Sequence, residues 1–177
     1  MPSSGGPARQ LTSHPSADVY VRWSPDGRYI AFDSWRSGNR DVWIVEAEGG
    51  EPRQVTTRPT SDVMAAWTSD SQWLIVISEQ RYWRVSVSGG KPELLTRGPG
   101  SAASWSPDGK VMYYNGAGER VNSLWAFALD DGREYRVADL TGRRGSRGAG
   151  LATDGSYLYF GWRDDLGDIW VMDVVQE

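Results

Sequence analysis

Trp23-Ser24-Pro25-Asp26-Gly27 returns as Trp105-Ser106-Pro107-Asp108-Gly109, and in worn form as Trp67-Thr68-Ser69-Asp70-Ser71 and Leu151-Ala152-Thr153-Asp154-Gly155. The copies start at 23, 67, 105 and 151, at intervals of 44, 38 and 46 residues. A period of about 40–45 residues marks one supersecondary unit used repeatedly, and at that length the leading candidate is a four-stranded propeller blade.

The residues around the phrase follow one grammar. Asp18 to Ser24 is rich in β-branched and aromatic residues and reads as a strand. Pro25-Asp26-Gly27 is a tight turn: proline presets φ, the aspartate bonds its own backbone, and glycine accepts a positive φ. Arg28 to Ser34 and Asp41 to Glu46 read as the second and third strands, and Pro52 to Thr56 as a short outer one. The expected blades are 18–57, 62–97, 101–138 and 148–175, with 8–12 added to the last, all within one domain, 1–177. That addition rests on Gly5 to Thr12, which matches Gly49 to Thr56 almost residue for residue. The chain thus reads as starting on an outer strand that completes the last blade and covers a bare edge. No segment holds an apolar period of 3.6, so the expected class is all-β, a β-propeller of four blade-equivalents. Trp43, Trp83, Trp125 and Trp170 recur on the third strands and are expected between stacked sheets.

Composition narrows the function. The 177 residues are 39% hydrophobic, carry a net charge of −4 and include no cysteine. There is no strongly basic face for nucleic acid, no thiolate metal site and no cysteine nucleophile. No apolar run is long enough for a membrane helix. The N-terminus lacks the basic and apolar regions of a secretory signal.

Together, W-S-P-D-G-[RK], the following Ile30-Ala31-Phe32, D-[VI]-W-[IV] and G-G-x-x-x-x-[LV]-T resemble the PD40 repeat, a WD40-like β-propeller repeat, from Arg9 to Asp173. The resemblance implies a TolB-like propeller, related to the propellers of tricorn-type and prolyl-oligopeptidase-family peptidases. It also implies a periplasmic setting and a scaffold role. The second repeat departs from the pattern with Ser69 and Ser71, and the fourth has lost its tryptophan. Four blades are fewer than the family's usual six to eight, so a homo-oligomer or a part of a larger propeller stays open.

The sequence supplies little that is catalytic. His14 is the one histidine, in a Ser/Pro-rich connection. G-x-S-x-G, H-E-x-x-H and the phosphate-binding glycine motifs are absent from the sequence. No catalytic residue, cofactor or metal site is therefore expected. Asp164-Asp165-Leu166-Gly167-Asp168 lacks the spacing of a calcium loop. Asp26, Asp70, Asp108 and Asp154 are assigned to turn chemistry. Asp18 and Asp62 each stand five residues before their repeat tryptophan, a position expected near the mouth of a central channel. Arg143, Arg144 and Arg147 lie in a glycine-containing loop suited to gripping a carboxylate or phosphate. These five residues are the candidate partner-binding set. The expected function is a non-catalytic scaffold binding a protein or peptide. The alternatives are the substrate-filtering propeller of a serine peptidase, the sensor propeller of a kinase or transcriptional regulator, and a sugar-binding surface using Trp35 or Trp162.

Overall fold

Each repeat turns on a small hydrogen-bonded circuit. Ser24 Oγ donates to Asp26 Oδ1 (2.6 Å), which also accepts the Arg28 N–H (3.1 Å), while Ser24 Oγ accepts the Tyr29 N–H (2.9 Å). The circuit recurs with Thr68, Asp70, Gln72 and Trp73, and again with Ser106, Asp108, Lys110 and Val111. In the fourth repeat Asp154 Oδ1 accepts the N–H groups of Ser156 and Tyr157. The recurrent aspartates are turn residues, as the sequence implies. Gly27, Gly109 and Gly155 take positive φ in these turns, and Ser71 takes φ 59° in the same place. Its Oγ accepts the Asp26 N–H of the preceding turn (3.1 Å). A serine thus stands where the pattern wants glycine because it ties one turn to the other.

The computed structural model describes residues 7–163 and 169–173. Their strands form four antiparallel sheets. The first contains β1 (Asp18–Trp23), β2 (Tyr29–Ser34), β3 (Asp41–Glu46) and β4 (Arg53–Gln54). The second contains β5 (Val63–Trp67), β6 (Trp73–Ser78), β7 (Arg81–Ser86) and β8 (Glu93–Leu94). The third contains β9 (Gly100–Trp105), β10 (Val111–Gly116), β11 (Ser123–Ala128) and β12 (Glu134–Asp139). The fourth contains β13 (Ser146–Thr153), β14 (Tyr157–Arg163) and β15 (Ile169–Asp173). Strands in each sheet pair in sequence order, the propeller-blade pattern. Among the described residues the helical structure is one 3₁₀ turn, Gly118–Arg120.

The chain divides into two compact units, 1–76 with 85–92 and 77–84 with 93–177. In the first, Ile30, Phe32 and Val45 form a buried cluster against which Leu11 and Trp43 pack. In the second, Leu124, Leu140, Phe160 and Trp162 form one cluster, and Tyr113, Ala126 and Leu158 another. Two outer-strand threonines explain the threonine of the repeat. Thr56 Oγ1 accepts the Val42 N–H (2.9 Å) and donates to Asp41 (3.2 Å), and Thr96 Oγ1 accepts the Tyr82 N–H (3.1 Å).

Two expectations change in detail. Residues 8–12 are not a strand, and the fourth sheet has three described strands rather than four. Arg9 instead donates to the carbonyls of Ala47 (2.8 Å) and Glu48 (2.7 Å), which lie on the reversal after β3 and satisfy its guanidinium directly. The likeness of this segment to 49–56 survives in Leu11, which packs on the first-sheet core as an apolar anchor. Trp43, Trp83 and Trp125 are half-buried, and an arginine lies over the ring of Trp43 (Arg36, 4.9 Å) and over that of Trp125 (Arg120, 3.9 Å). An indole face thus serves as a cation platform as well as filling. The side chain of Trp170 lies outside those described.

Candidate partner-binding surface

Asp18 opens β1, where its side chain meets Arg36 from the β2–β3 loop. Arg36 Nη2 stands 2.7 Å from both carboxylate oxygens, and neither side chain is much exposed. Desolvation raises the Asp18 carboxyl, but hydrogen bonds from Arg36, Thr12 and Ser34 outweigh it and hold it below its ordinary value. Arg36 also lies over Phe32 (5.1 Å). Asp62 is fully buried; Arg58 Nη2 binds it at 2.7 Å, and its own N–H donates to the Arg40 carbonyl (2.7 Å). The first unit therefore holds both candidate carboxylates, each locked by its own arginine and turned inward.

Next to them lies a group the sequence reading missed. Asp33 ends the apolar run of β2 and is fully buried. Its Oδ2 accepts Arg40 Nε (3.1 Å) and Nη2 (2.7 Å), and its Oδ1 accepts the Met64 N–H (3.0 Å). Burial pushes the Asp33 carboxyl up, opposed by the Met64 N–H and by the charges of Arg40 and Arg22. The Arg40 guanidinium carbon stands 4.7 Å from the Tyr20 ring centroid and 5.2 Å from that of Trp35. Both rings face solvent, Tyr20 at 61% and Trp35 at 43% exposure, and Val21 and Trp23 are exposed beside Tyr20 on β1.

Tyr20 reaches Arg40 through a break in the strand. The β1–β2 register shifts between Val19 and Arg22, and Tyr20 takes φ 56°, a rare conformation for a bulky aromatic residue. No pattern in the sequence announces this bulge. A signal for the pair existed in principle: an aspartate closing an otherwise apolar strand needs a cation, and Arg40 is seven residues away.

In the second unit, Arg143 and Arg144 are exposed, as the loop reading expects. The Arg144 carbonyl accepts Trp162 Nε1 (2.7 Å), so the loop backbone is pinned by a buried indole. Trp162 is 4% exposed and is a core residue rather than a sugar platform. Arg147 stands on β13, paired with Trp162, rather than in the loop; its side chain and the segment Asp164 to Asp168 lie outside the described residues. The same unit holds a buried carboxylate: Glu134 accepts from the Tyr114 hydroxyl, from Arg120 Nη1 (3.2 Å) and from the Arg97 N–H. An open pocket of about 400 Å³ in the first unit is lined by Gly27, Arg28, Tyr29, Glu46, Ala47 and Glu48. Among the described residues no three His, Asp or Glu side chains gather as a metal site.

A family profile described as "Tricorn protease N-terminal beta propeller domain" matches residues 1–122. An uncharacterized protein of Agrobacterium fabrum is 35% identical over 74 residues, covering 41% of this chain and 25% of that protein. The Tol-Pal system protein TolB of Syntrophus aciditrophicus is 47% identical over 36 residues, 20% of this chain and 8% of TolB. Among solved structures, a putative TolB from Agrobacterium tumefaciens superposes with a TM-score of 0.71 at 23% identity, covering 94% of this chain and 61% of that one. A puromycin-hydrolyzing peptidase of Mycobacterium tuberculosis gives 0.73 at 18% identity, covering 94% and 29%. The chain thus spans a quarter or less of the curated relatives it matches. The structural likenesses establish the fold.

Proposed function

This chain belongs to the tricorn protease N-terminal β-propeller domain family, and from that premise we propose that it is a non-catalytic propeller segment that binds a protein or peptide partner through its loops and strand ends. One observation carries the reading: Tyr20, Val21, Trp23 and Trp35 stand exposed in one unit, and Tyr20 and Trp35 flank the partly buried Arg40. Tyrosine, tryptophan and arginine dominate the energetics of protein interfaces, and solvent is a costly place to leave them without a partner. Asp18 and Asp62 serve this surface by fixing Arg36 and Arg58 rather than by offering free carboxylates. Arg143 and Arg144 form a separate contact loop in the same proposal, leading into β13, which carries Arg147. TolB, named as part of the Tol-Pal system, is a relative whose name fits such a role.

The test is selection of peptides from a displayed random library on the wild-type chain, followed by affinity measurement on the Y20A/W35A double variant. Selected peptides are expected to lose at least tenfold in affinity. Peptides that bind both forms equally well remove this surface from the proposal.

A second reading rests on the superposition with the puromycin-hydrolyzing peptidase, in which this fold is part of a longer hydrolase chain. On that reading the segment filters peptide substrate for a catalytic domain. Finding G-x-S-x-G in the same reading frame supports it, and its absence from the complete gene product ends it.

A further inference from the structure

We propose that Arg40, fixed by Asp33 and flanked by Tyr20 and Trp35, reads a carboxylate on an acidic peptide segment of the partner. The inference rests on the partner-binding reading above and names the chemistry that surface recognises.

A guanidinium carries five N–H donors in a planar fork and cannot shed its charge. Asp33 Oδ2 takes one from Nε and one from Nη2, which uses a single edge. The end-on edge, between Nη1 and the second Nη2 hydrogen, has no hydrogen-bond partner among the described residues, and the side chain is 18% exposed. That edge matches a carboxylate, which it can bind through two parallel hydrogen bonds.

The surroundings favour an anion there. Asp33 cannot turn outward, because its other oxygen holds the Met64 N–H inside the protein. Two cations act on that one carboxylate, Arg40 and the exposed Arg22. The neighbouring acids are already matched, Asp18 by Arg36 and Asp62 by Arg58. Arg40, Arg22 and Asp33 taken together thus carry one net positive charge.

The rings supply the rest. Tyr20 and Trp35 shield the guanidinium from bulk water, where a charge-assisted bond would be weak, and their exposed surface gives a ledge for the apolar stem of the incoming residue. A Glu or Asp side chain brings its carboxylate on such a stem. Tyr20 holds a strained φ of 56° to stand over Arg40, and strain of this kind persists where the surroundings over-determine it, often at binding sites.

The experiment uses the whole chain and three probes: an end-blocked Glu–Phe–Glu peptide, its Gln–Phe–Gln counterpart, and trigalacturonate. Arginine Nε resonances of the wild-type protein are followed by NMR during each titration, with affinities from tryptophan fluorescence. The Glu peptide is expected to shift the Arg40 Nε signal and to bind at least tenfold tighter than the Gln peptide. R40K, which keeps a cation beside Asp33 but loses the fork, is expected to erase that preference. The wild-type Nε signal decides the matter even if R40K folds poorly. Equal binding of both peptides, lost in Y20A/W35A, overturns carboxylate reading while the partner-binding surface stands. Binding of trigalacturonate alone overturns the peptide assignment in favour of an acidic sugar. An Arg40 signal unmoved by all three probes overturns the proposal.

Discussion

The first and second repeats write the same phrase and use it differently. Trp23 is 59% exposed, whereas Trp67 is 9% exposed and donates its Nε1 hydrogen to the Arg22 carbonyl (3.2 Å). Both indoles follow the same kind of strand and precede the same kind of turn. The difference is a neighbour: Trp67 rests on β1 through the Arg22 carbonyl, whereas the Trp23 ring faces solvent. The phrase therefore fixes the local turn, while burial of its tryptophan depends on what stands beside the sheet.

The sharpest way to break this comparison is to truncate both rings. Trp67→Ala removes a buried indole and leaves a cavity, with an expected loss of about 3–5 kcal/mol. Trp23→Ala removes a ring that water already surrounds, so its cost should stay within about 0.5 kcal/mol. Urea unfolding of the two variants checks this. Equal losses would mean that Trp23 is covered in solution and that the contrast is false.

Thr56 and Thr96 sharpen the comparison at the outer strands. Both accept a third-strand N–H, but only Thr56 also donates to a carboxylate, the buried Asp41. Thr56→Ala strips a hydrogen from Asp41 and an acceptor from Val42, so about 1–3 kcal/mol should go. Thr96→Ala should cost less, near 1 kcal/mol, because one bond is lost. Denaturant midpoints rank the two, and the reverse order would contradict the assigned role of Asp41.

These contrasts also show what a linear reading can reach. Asp26, Asp70, Asp108 and Asp154 were legible because each makes its bonds within three residues or so, and local chemistry repeats with the sequence. The sheets were legible for the same reason. Asp18 and Asp62 were read as candidate partner-binding carboxylates near a channel mouth, and nothing in the sequence announced that each is held by an arginine. Their arginines arrive from 18 residues ahead in one case and four behind in the other, so no fixed spacing marks them. Tyr20 was invisible as a site residue, since its position depends on a register break set by pairing rather than by composition. The arginines over Trp43 and Trp125 escaped notice because the indoles already had a sufficient role as filling.

Ser71 gives a smaller and more discriminating effect. At φ 59° a serine carries strain that glycine would not, yet its Oγ accepts the Asp26 N–H. Ser71→Gly relieves the strain and loses the bond, two terms of about 1 kcal/mol with opposite sign, so the change should be near zero. Ser71→Ala keeps the strain and loses the bond, and should fall about 1 kcal/mol below the glycine variant. Thermal unfolding of the pair tests the order. An alanine variant as stable as the glycine one would show that Ser71 is an accident of drift, not a tie between turns.

The smallest effect belongs to the Asp26 carboxyl itself. Hydrogen bonds from Ser24, then from the Arg28 N–H and guanidinium, lower it from 3.8 to about 2. A carboxyl held below its unfolded value stabilises the fold above that value, and the contribution fades as the group protonates in the folded state. The stabilisation should therefore be complete above pH 3.8 and be lost as pH falls toward about 2. Asp26→Asn removes the titrating group while leaving the backbone N–H that Ser71 accepts, so the stability slope in that window should flatten. Because the group is exposed, the Arg28 part should also shrink as salt is raised. Following the Asp26 side-chain carboxyl carbon by NMR during acid titration gives the direct reading. A midpoint at the ordinary carboxylate value, with an unchanged slope in Asp26→Asn, would show that the turn holds its shape without the charge. The recurrence of aspartate in all four repeats would then reflect its hydrogen-bonding geometry alone.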